Sequence, residues 1–259
     1  MARTKTNKPG STGSSKPPST ASTTPARLGM TGAVRAPVVQ ADASATPVPS
    51  LSGLPSPNPK APHLGDLDFE NAATEFGIDA DIIRAVAKVE SGGRTGFDAQ
   101  GRPKILFEAQ WFHKFTKGAF DSTHPQVSQP SWELGKKYYV LDQWVRLAEA
   151  IPLDRESALK SASWGVFQVM GFNHNGYPTV DDFVNAMFLS EFEHLKAFLA
   201  FCCDNKLVDK LKNKDWAGFA KAYNGPGYKQ NSYDVKIQQA YEQCRALRKQ
   251  ALPGETAKG

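Results

Sequence analysis

The sequence predicts a mainly α-helical domain carrying a small β-hairpin element and preceded by a disordered tail. Three observations carry that prediction. Residues 1–62 are rich in Ser, Thr, Pro, Gly and Ala and show no apolar period, so they cannot bury enough surface to offset the entropy of ordering. From His63 to about residue 252, apolar residues recur at helical spacing in one segment after another. A single stretch, FDAQGRPKILFE (97–108), interrupts that period: Gly101 and Pro103 mark a turn and 104–107 reads as a strand. The expected organisation is a tail over 1–62, one folded domain over 63–252 and a frayed end over 253–259.

Taken in order, the tail offers one short apolar patch, VRAPVVQ (34–40), where a strand or docking motif could lie. A short helix is expected over 68–76, with Phe69, Ala72, Ala73 and Phe76 on one face and Gly77 ending it. DADIIRAVAKVESGG (79–93) follows. Asp79 suits an N-cap, Ile82, Ile83, Val86 and Val89 form one apolar face, and Gly92 and Gly93 supply a helix stop. Residues 109–120 read as an aromatic helix and 121–132 as loop. One helix is expected over 134–150, from the spacing of Leu134, Tyr138, Leu141, Val145 and Leu147, and another over 154–160. SASWGVFQVMGFN (161–173) reads as a short helix or tight turn. Residues 180–204 form the longest periodic run and are expected to be a single central buried helix. Further helices follow, broken by NGPGY (224–228).

Composition narrows the function. The formal net charge of +5 is uneven. Arg3, Lys5, Lys8, Lys16, Arg27, Arg35 and Lys60 stand against Asp42 alone in residues 1–62, a net of +6, which leaves the other 197 residues at −1. A body without cationic excess is a poor phosphate binder, so nucleic acid is not an expected partner. No signal-peptide pattern opens the chain and no apolar run is long enough to span a bilayer, so no stable membrane insertion is expected. Cys202, Cys203 and Cys244 show no zinc spacing and read as free thiols, which suits synthesis in a reducing cytosol. No metal or cofactor motif is present, and His63, His113, His124, His174 and His194 are scattered.

What remains is carboxylate chemistry: Glu90 at a helix end, Glu108 after a strand, and Asp98 and Asp121 in loops. Glu90 is expected on the last turn of its helix, beside the apolar stripe. There, desolvation and the negative end of the helix dipole both favour the protonated acid. A carboxyl group kept neutral near pH 7 can donate a proton; a solvated Glu at a helix end is the plainer alternative.

Glu90-Ser91, the Gly165–Met170 run GVFQVM and Tyr223-Asn224-Gly225 together resemble the lysozyme-like peptidoglycan hydrolases. VESGG, GRPKILFE, SASWGVFQVMG and YNGPGY, in that order across residues 64–250, are similar to the N-acetylmuramidase domain of phage endolysins. The resemblance implies a lysozyme-like fold and cleavage of the β-1,4 bond between N-acetylmuramic acid and N-acetylglucosamine, with Glu90 as general acid and no cofactor. Glu108 is the first choice for a second carboxylate, either a base or a nucleophile, against a buried structural role. Ser163, Gln168, Tyr223 and Asn224 are candidate substrate contacts. Trp164 either stacks on a sugar or fills the core, and Phe167 and Met170 are expected in the core. Peptidoglycan glycan strands are the implied partner, and a monomer is expected. The enzyme would be made in the host cytoplasm, act in the periplasm or wall, and depend on a separate membrane-permeabilising protein for access. A lytic transglycosylase giving 1,6-anhydro products, a chitinase-like specificity and a catalytically silent wall-binding or virion protein are the other readings. The basic tail could add attraction to anionic wall polymer or lipid.

Overall fold

The computed structural model describes residue 51 and residues 53–251. The expected patch at 34–40, the first 50 residues of the tail and the frayed end lie outside the described residues. The body opens with α1 (Asp66–Phe76) and α2 (Ala80–Ser91), followed by β1 (Ile105–Phe107) and α3 (Ala109–Thr116). Next come α4 (Trp132–Gly135), a 3₁₀ turn (Lys136–Val140), α5 (Gln143–Ala150) and α6 (Arg155–Lys160). β2 (Ala162–Trp164) and β3 (Val169–Met170) complete an antiparallel sheet in the order β1-β2-β3, with Leu106 opposite Ser163 and Ser163 opposite Met170. α7 (Val180–Met187), α8 (Glu191–Asp204), α9 (Val208–Lys212), α10 (Trp216–Asn224) and α11 (Tyr233–Ala251) finish the fold. The protein is mainly α-helical with one small sheet, as expected, although that element has three strands where a hairpin was anticipated.

α2 forms for the reasons its sequence gives. Asp79 accepts a hydrogen bond from the Asp81 N–H at 2.9 Å. Ile82, Ile83, Ala85 and Val86 are buried, and the helix ends at Gly92, whose φ of 60° is left-handed. α1 and α11 pack against it. Tyr241 of α11 donates to Asp79 Oδ2 at 3.3 Å and Lys88 donates to Gln243 at 3.0 Å.

Four expectations fail in whole or in part, each for a physical reason. The helix foreseen over 134–150 is broken: Leu141 is extended, and Asp142 accepts from Trp144 N–H at 2.7 Å and Val145 N–H at 3.3 Å, which starts α5 afresh. Leu134, Leu141 and Val145 kept helical spacing yet are exposed. The 180–204 run is two helices, because Ser190 is extended and caps α8 by accepting from Glu193 N–H. Both halves bury an apolar face, so the period runs unbroken across the stop. Residues 161–173 hold the expected tight turn, at 165–168, and a short 3₁₀ helix (Gly171–Asn173), but β2 and β3 on either side of the turn were not expected; all three residues of β2 are buried, which removes the in-out alternation that would mark a strand. Finally, the chain ahead of His63 joins the body earlier than the expected boundary. Leu51 and Leu54 pack on the core and Ala61 is buried. Asn58 N–H donates to Gly101 O at 3.0 Å, and Arg155 reaches Gly53 O at 2.9 Å.

The core that backs the sheet is aromatic. Phe167 stacks on Phe198 of α8 with ring centres 4.6 Å apart, and Tyr223 of α10 meets Phe198, Phe201 and Phe219 at 5.4–5.6 Å. Such pairs contribute about 0.5–1.5 kcal/mol each beyond area burial.

Candidate active site

Glu90 lies on the last turn of α2, three, four and seven residues after Ala87, Val86 and Ile83, all buried. It therefore continues the buried face, and its Oε1 oxygen is enclosed. Behind it stands α8: the Glu90 charge acts on the thiol of Cys202, which burial already pushes well above its ordinary range. The same helix carries Phe198 and Phe201, so Glu90, the β2–β3 turn and Tyr223 share one support.

The β2–β3 turn is built on left-handed residues. Gly165 has φ 70° and Gln168 has φ 49°; a non-glycine residue there is uncommon and needs its surroundings to hold it. Gln168 is held by its own side chain. Its Nε2 donates to Gly165 O at 2.8 Å and Lys104 O at 3.2 Å, and its Oε1 accepts from the Ser163 hydroxyl at 2.8 Å. Both amide hydrogens are thus engaged inside the protein, and what Gln168 has left to offer a substrate is a lone pair on Oε1. Tyr223 donates to the Phe167 carbonyl at 2.7 Å, next to Gln168.

Burial decides Trp164 for the core alternative and overturns Tyr223 as a sugar contact. Trp164 has no exposed surface, and its indole N–H donates to Leu159 O at 3.2 Å, so it fills the core. Tyr223 is 1% exposed, its ring enclosed by three phenylalanines, so it orders the turn and presents no face to a substrate. Phe167 and Met170 are in the core as expected. Nothing is described of the Asn224 side chain.

Glu108 is 8% exposed and N-terminal to α3, with its backbone N–H on Ser161 O at 3.0 Å. Gln110 Nε2 donates to its Oε2. Its charge also reaches Arg146, which has no exposed surface and is pinned by the carbonyls of Phe107 and Gln126 at 2.7–3.0 Å. Burial lowers Arg146 to about 10 in spite of Tyr139, Glu149 and Glu108 nearby. Burial, and then the Glu108 charge, raise the Tyr139 phenol. Strand alternation places Lys104, Leu106 and Glu108 on one face, the face on which Ser163 meets Gln168. Lys104 and Glu108 are roughly 13 Å apart along it.

The other acidic candidates have structural partners. Asp98 accepts from Gln100 N–H, Arg102 N–H and Arg102 Nε at 2.8–2.9 Å. Asp121 bonds His113 at 2.8 Å and Ser128 at 2.5 Å; desolvation raises its pKa, but those two bonds outweigh it and the net direction is down.

Sequence reasoning missed a buried pair on α8. Glu191 accepts from Leu64 N–H at 2.9 Å, Gly96 N–H at 2.6 Å and Thr95 Oγ1 at 2.7 Å, with His63 Nδ1 at 3.1 Å. It thereby ties the segment before α1 to the loop that follows Glu90. Desolvation alone would raise its pKa, but the bonds lower it overall. His194 accepts from Val166 N–H at 3.2 Å through Nδ1 and donates from Nε2 to Met187 O at 2.8 Å. That arrangement is a neutral imidazole, and burial lowers it to about 4. Both residues lie in the first turn of a helix, where a charged or polar residue reads as ordinary surface. Among the described residues no group of His, Cys, Asp and Glu could hold a metal ion, and no helix is long and apolar enough to cross a membrane.

Residues 79–245, from the cap of α2 into α11, match the N-acetylmuramidase family. Among solved structures, the endolysin of Burkholderia phage AP3 is similar at 37% identity over 72% of each chain, with a TM-score of 0.66. No curated protein matches. A matched region that long, with that identity over that coverage, is conclusive: the chain belongs to the N-acetylmuramidase family, glycoside hydrolases of peptidoglycan.

Proposed function

We propose that this is an endolysin-type muramidase that cuts the β-1,4 bond between N-acetylmuramic acid and N-acetylglucosamine with Glu90 as general acid. The observation that carries the reading is the setting of Glu90: the end of α2, in line with its buried face, with Oε1 enclosed. Desolvation and the helix C-terminus both favour the protonated carboxyl, which hands its hydrogen to the leaving oxygen as the bond breaks. The turn that holds Gln168 is fixed from three sides, by Ser163, Lys104 O and the Tyr223–Phe167 bond. We assign Gln168 Oε1 and Asn224 to sugar hydroxyls or N-acetyl groups, and Ser163 to orienting Gln168.

Glu108, beside the buried Arg146 cation, is the candidate for the second carboxylate, so that acid and base roles divide between the two glutamates. Its engagement with Gln110 favours a second reading, in which no second carboxylate acts: the muramic C6 hydroxyl attacks C1 and gives its proton to the Glu90 carboxylate left after the leaving oxygen is protonated, as in a lytic transglycosylase. The enzyme would act from the host cytoplasm on the wall, once a separate membrane-permeabilising protein gives it access. Mass spectrometry of muropeptides released from purified peptidoglycan tests the reaction. Reducing muramic acid ends are expected; 1,6-anhydro ends would replace hydrolysis by transglycosylation, and reducing N-acetylglucosamine ends would reject the bond assignment.

A further inference from the structure

Beyond α2 the chain turns through Gly92 and Gly93 and exposes Arg94 and Thr95 before Gly96 enters the core. Lys104 folds back onto this turn. Its ammonium donates to Thr95 O at 2.5 Å and its backbone N–H to Gly96 O at 2.7 Å. The Arg94 guanidinium folds back over Gly92, where a Cβ would lie 3.8 Å from it, so both cations stand on the one turn that follows Glu90. They oppose each other: after partial desolvation, the Arg94 charge is the next influence lowering Lys104, against Glu191 and Asp98. The nearby carboxylates are already committed, Glu191 to Leu64, Thr95, Gly96 and His63, and Asp98 to Arg102. Among the described residues neither Arg94 nor Lys104 has a carboxylate within ion-pair distance. Two like charges on one turn, compensated only in part by Glu191 and Asp98, repel at a cost, which a bound anion offsets.

The substrate carries such anions next to the bond in question. The muramic acid ring whose C1 is released bears, through the lactyl ether on its C3, a peptide rich in carboxylates. A strand gripped at Glu90 brings that peptide within one sugar of the end of α2. We propose that Arg94 and Lys104 form an anion subsite for the carboxylates of the muramic acid peptide, making peptide-bearing strands preferred over bare glycan. The inference rests on the muramidase reading above and adds to it a choice of substrate form.

The test compares kcat/KM on soluble peptide-bearing strands with that on the same strands stripped of peptide by an amidase. Wild-type protein, Arg94→Glu, Lys104→Gln and Lys104→Arg are measured at low and high salt. The wild type is expected to prefer peptide-bearing strands. Arg94→Glu and Lys104→Gln should each shrink that preference about fivefold or more, chiefly through KM, and Lys104→Arg should keep it. Salt should erode the wild-type preference in the same direction. Arg94 is exposed, so its substitution reads binding rather than folding. Equal wild-type kcat/KM on both strands, or an equal loss on both in Arg94→Glu, overturns the subsite. Failure of the wild type to cut either strand would instead overturn the muramidase reading itself.

Discussion

At the scale of single residues, the candidate site is held by groups whose alternatives are closed off. Gly165 shows this most sharply. Its φ of 70° disfavours a side chain, and a Cβ there would lie 2.6 Å from the His194 ring. Gly165→Ala is expected to destabilise the protein by roughly 2–5 kcal/mol, read from urea unfolding, because left-handed strain and overpacking add. A loss under about 1 kcal/mol would mean that the turn relocates freely. The two glutamates that matter differ in how legible they were. Glu90 could be placed from the sequence because its cap, apolar period and glycine stop all lie within fifteen residues. Glu108 could be singled out as odd among apolar neighbours, but Arg146, which gives it a context, lies 38 positions away, and nothing local in the sequence marks it as buried. Tyr223 reads as a sugar contact, and Trp164 stays open between sugar and core, because a motif gives residue types, not the phenylalanines and carbonyls that enclose them.

Among the elements, local signals succeeded wherever a helix was set by its own cap and period. α2, α6 and α10 begin at Asp79, Asp154 and Asp215, each accepting a backbone N–H. They failed where a cap hides inside a longer period. Asp142 and Ser190 each restart a helix within an apolar pattern that runs straight through, and only the packing on either side shows the break. Asp142→Ala is therefore expected to cost about 1 kcal/mol in chemical denaturation, by leaving the Trp144 and Val145 N–H groups without their acceptor. No measurable loss would show that the break after Leu141 is set by the 3₁₀ turn alone. β2 and β3 were illegible for a related reason: a fully buried strand has no alternation, and its partners, β1 and the aromatic layer on α8, are distant in sequence.

Across the whole molecule, two buried groups on α8 couple stability to pH with the same sign. Glu191 has a folded pKa below its ordinary value, so its contribution is present above the unfolded pKa and is lost as pH falls through the lower folded one. His194 is held neutral, with a folded pKa of about 4 against 6.5. Its contribution is complete above 6.5 and declines as pH falls towards 4, by about 3 kcal/mol in all. The urea midpoint should therefore fall between pH 7 and pH 4.5, and His194→Gln, which keeps one donor and one acceptor, should flatten that slope. A midpoint independent of pH over this range would mean that His194 is not held neutral. Because Glu191 fixes the loop after Glu90 and His194 supports the turn that carries Gln168, acid also loosens the two walls of the site together.

The proposed mechanism rests on one enclosed carboxyl group, Glu90, as the proton source for wall cleavage. The most direct test measures release of reducing ends from purified peptidoglycan by the wild type and Glu90→Gln, with melting temperatures recorded for both. Glu90→Gln keeps the shape and removes the proton, so the rate should fall at least about a hundredfold while the melting temperature holds. A variant that cleaves within a few-fold of the wild type would show that the proton comes from elsewhere.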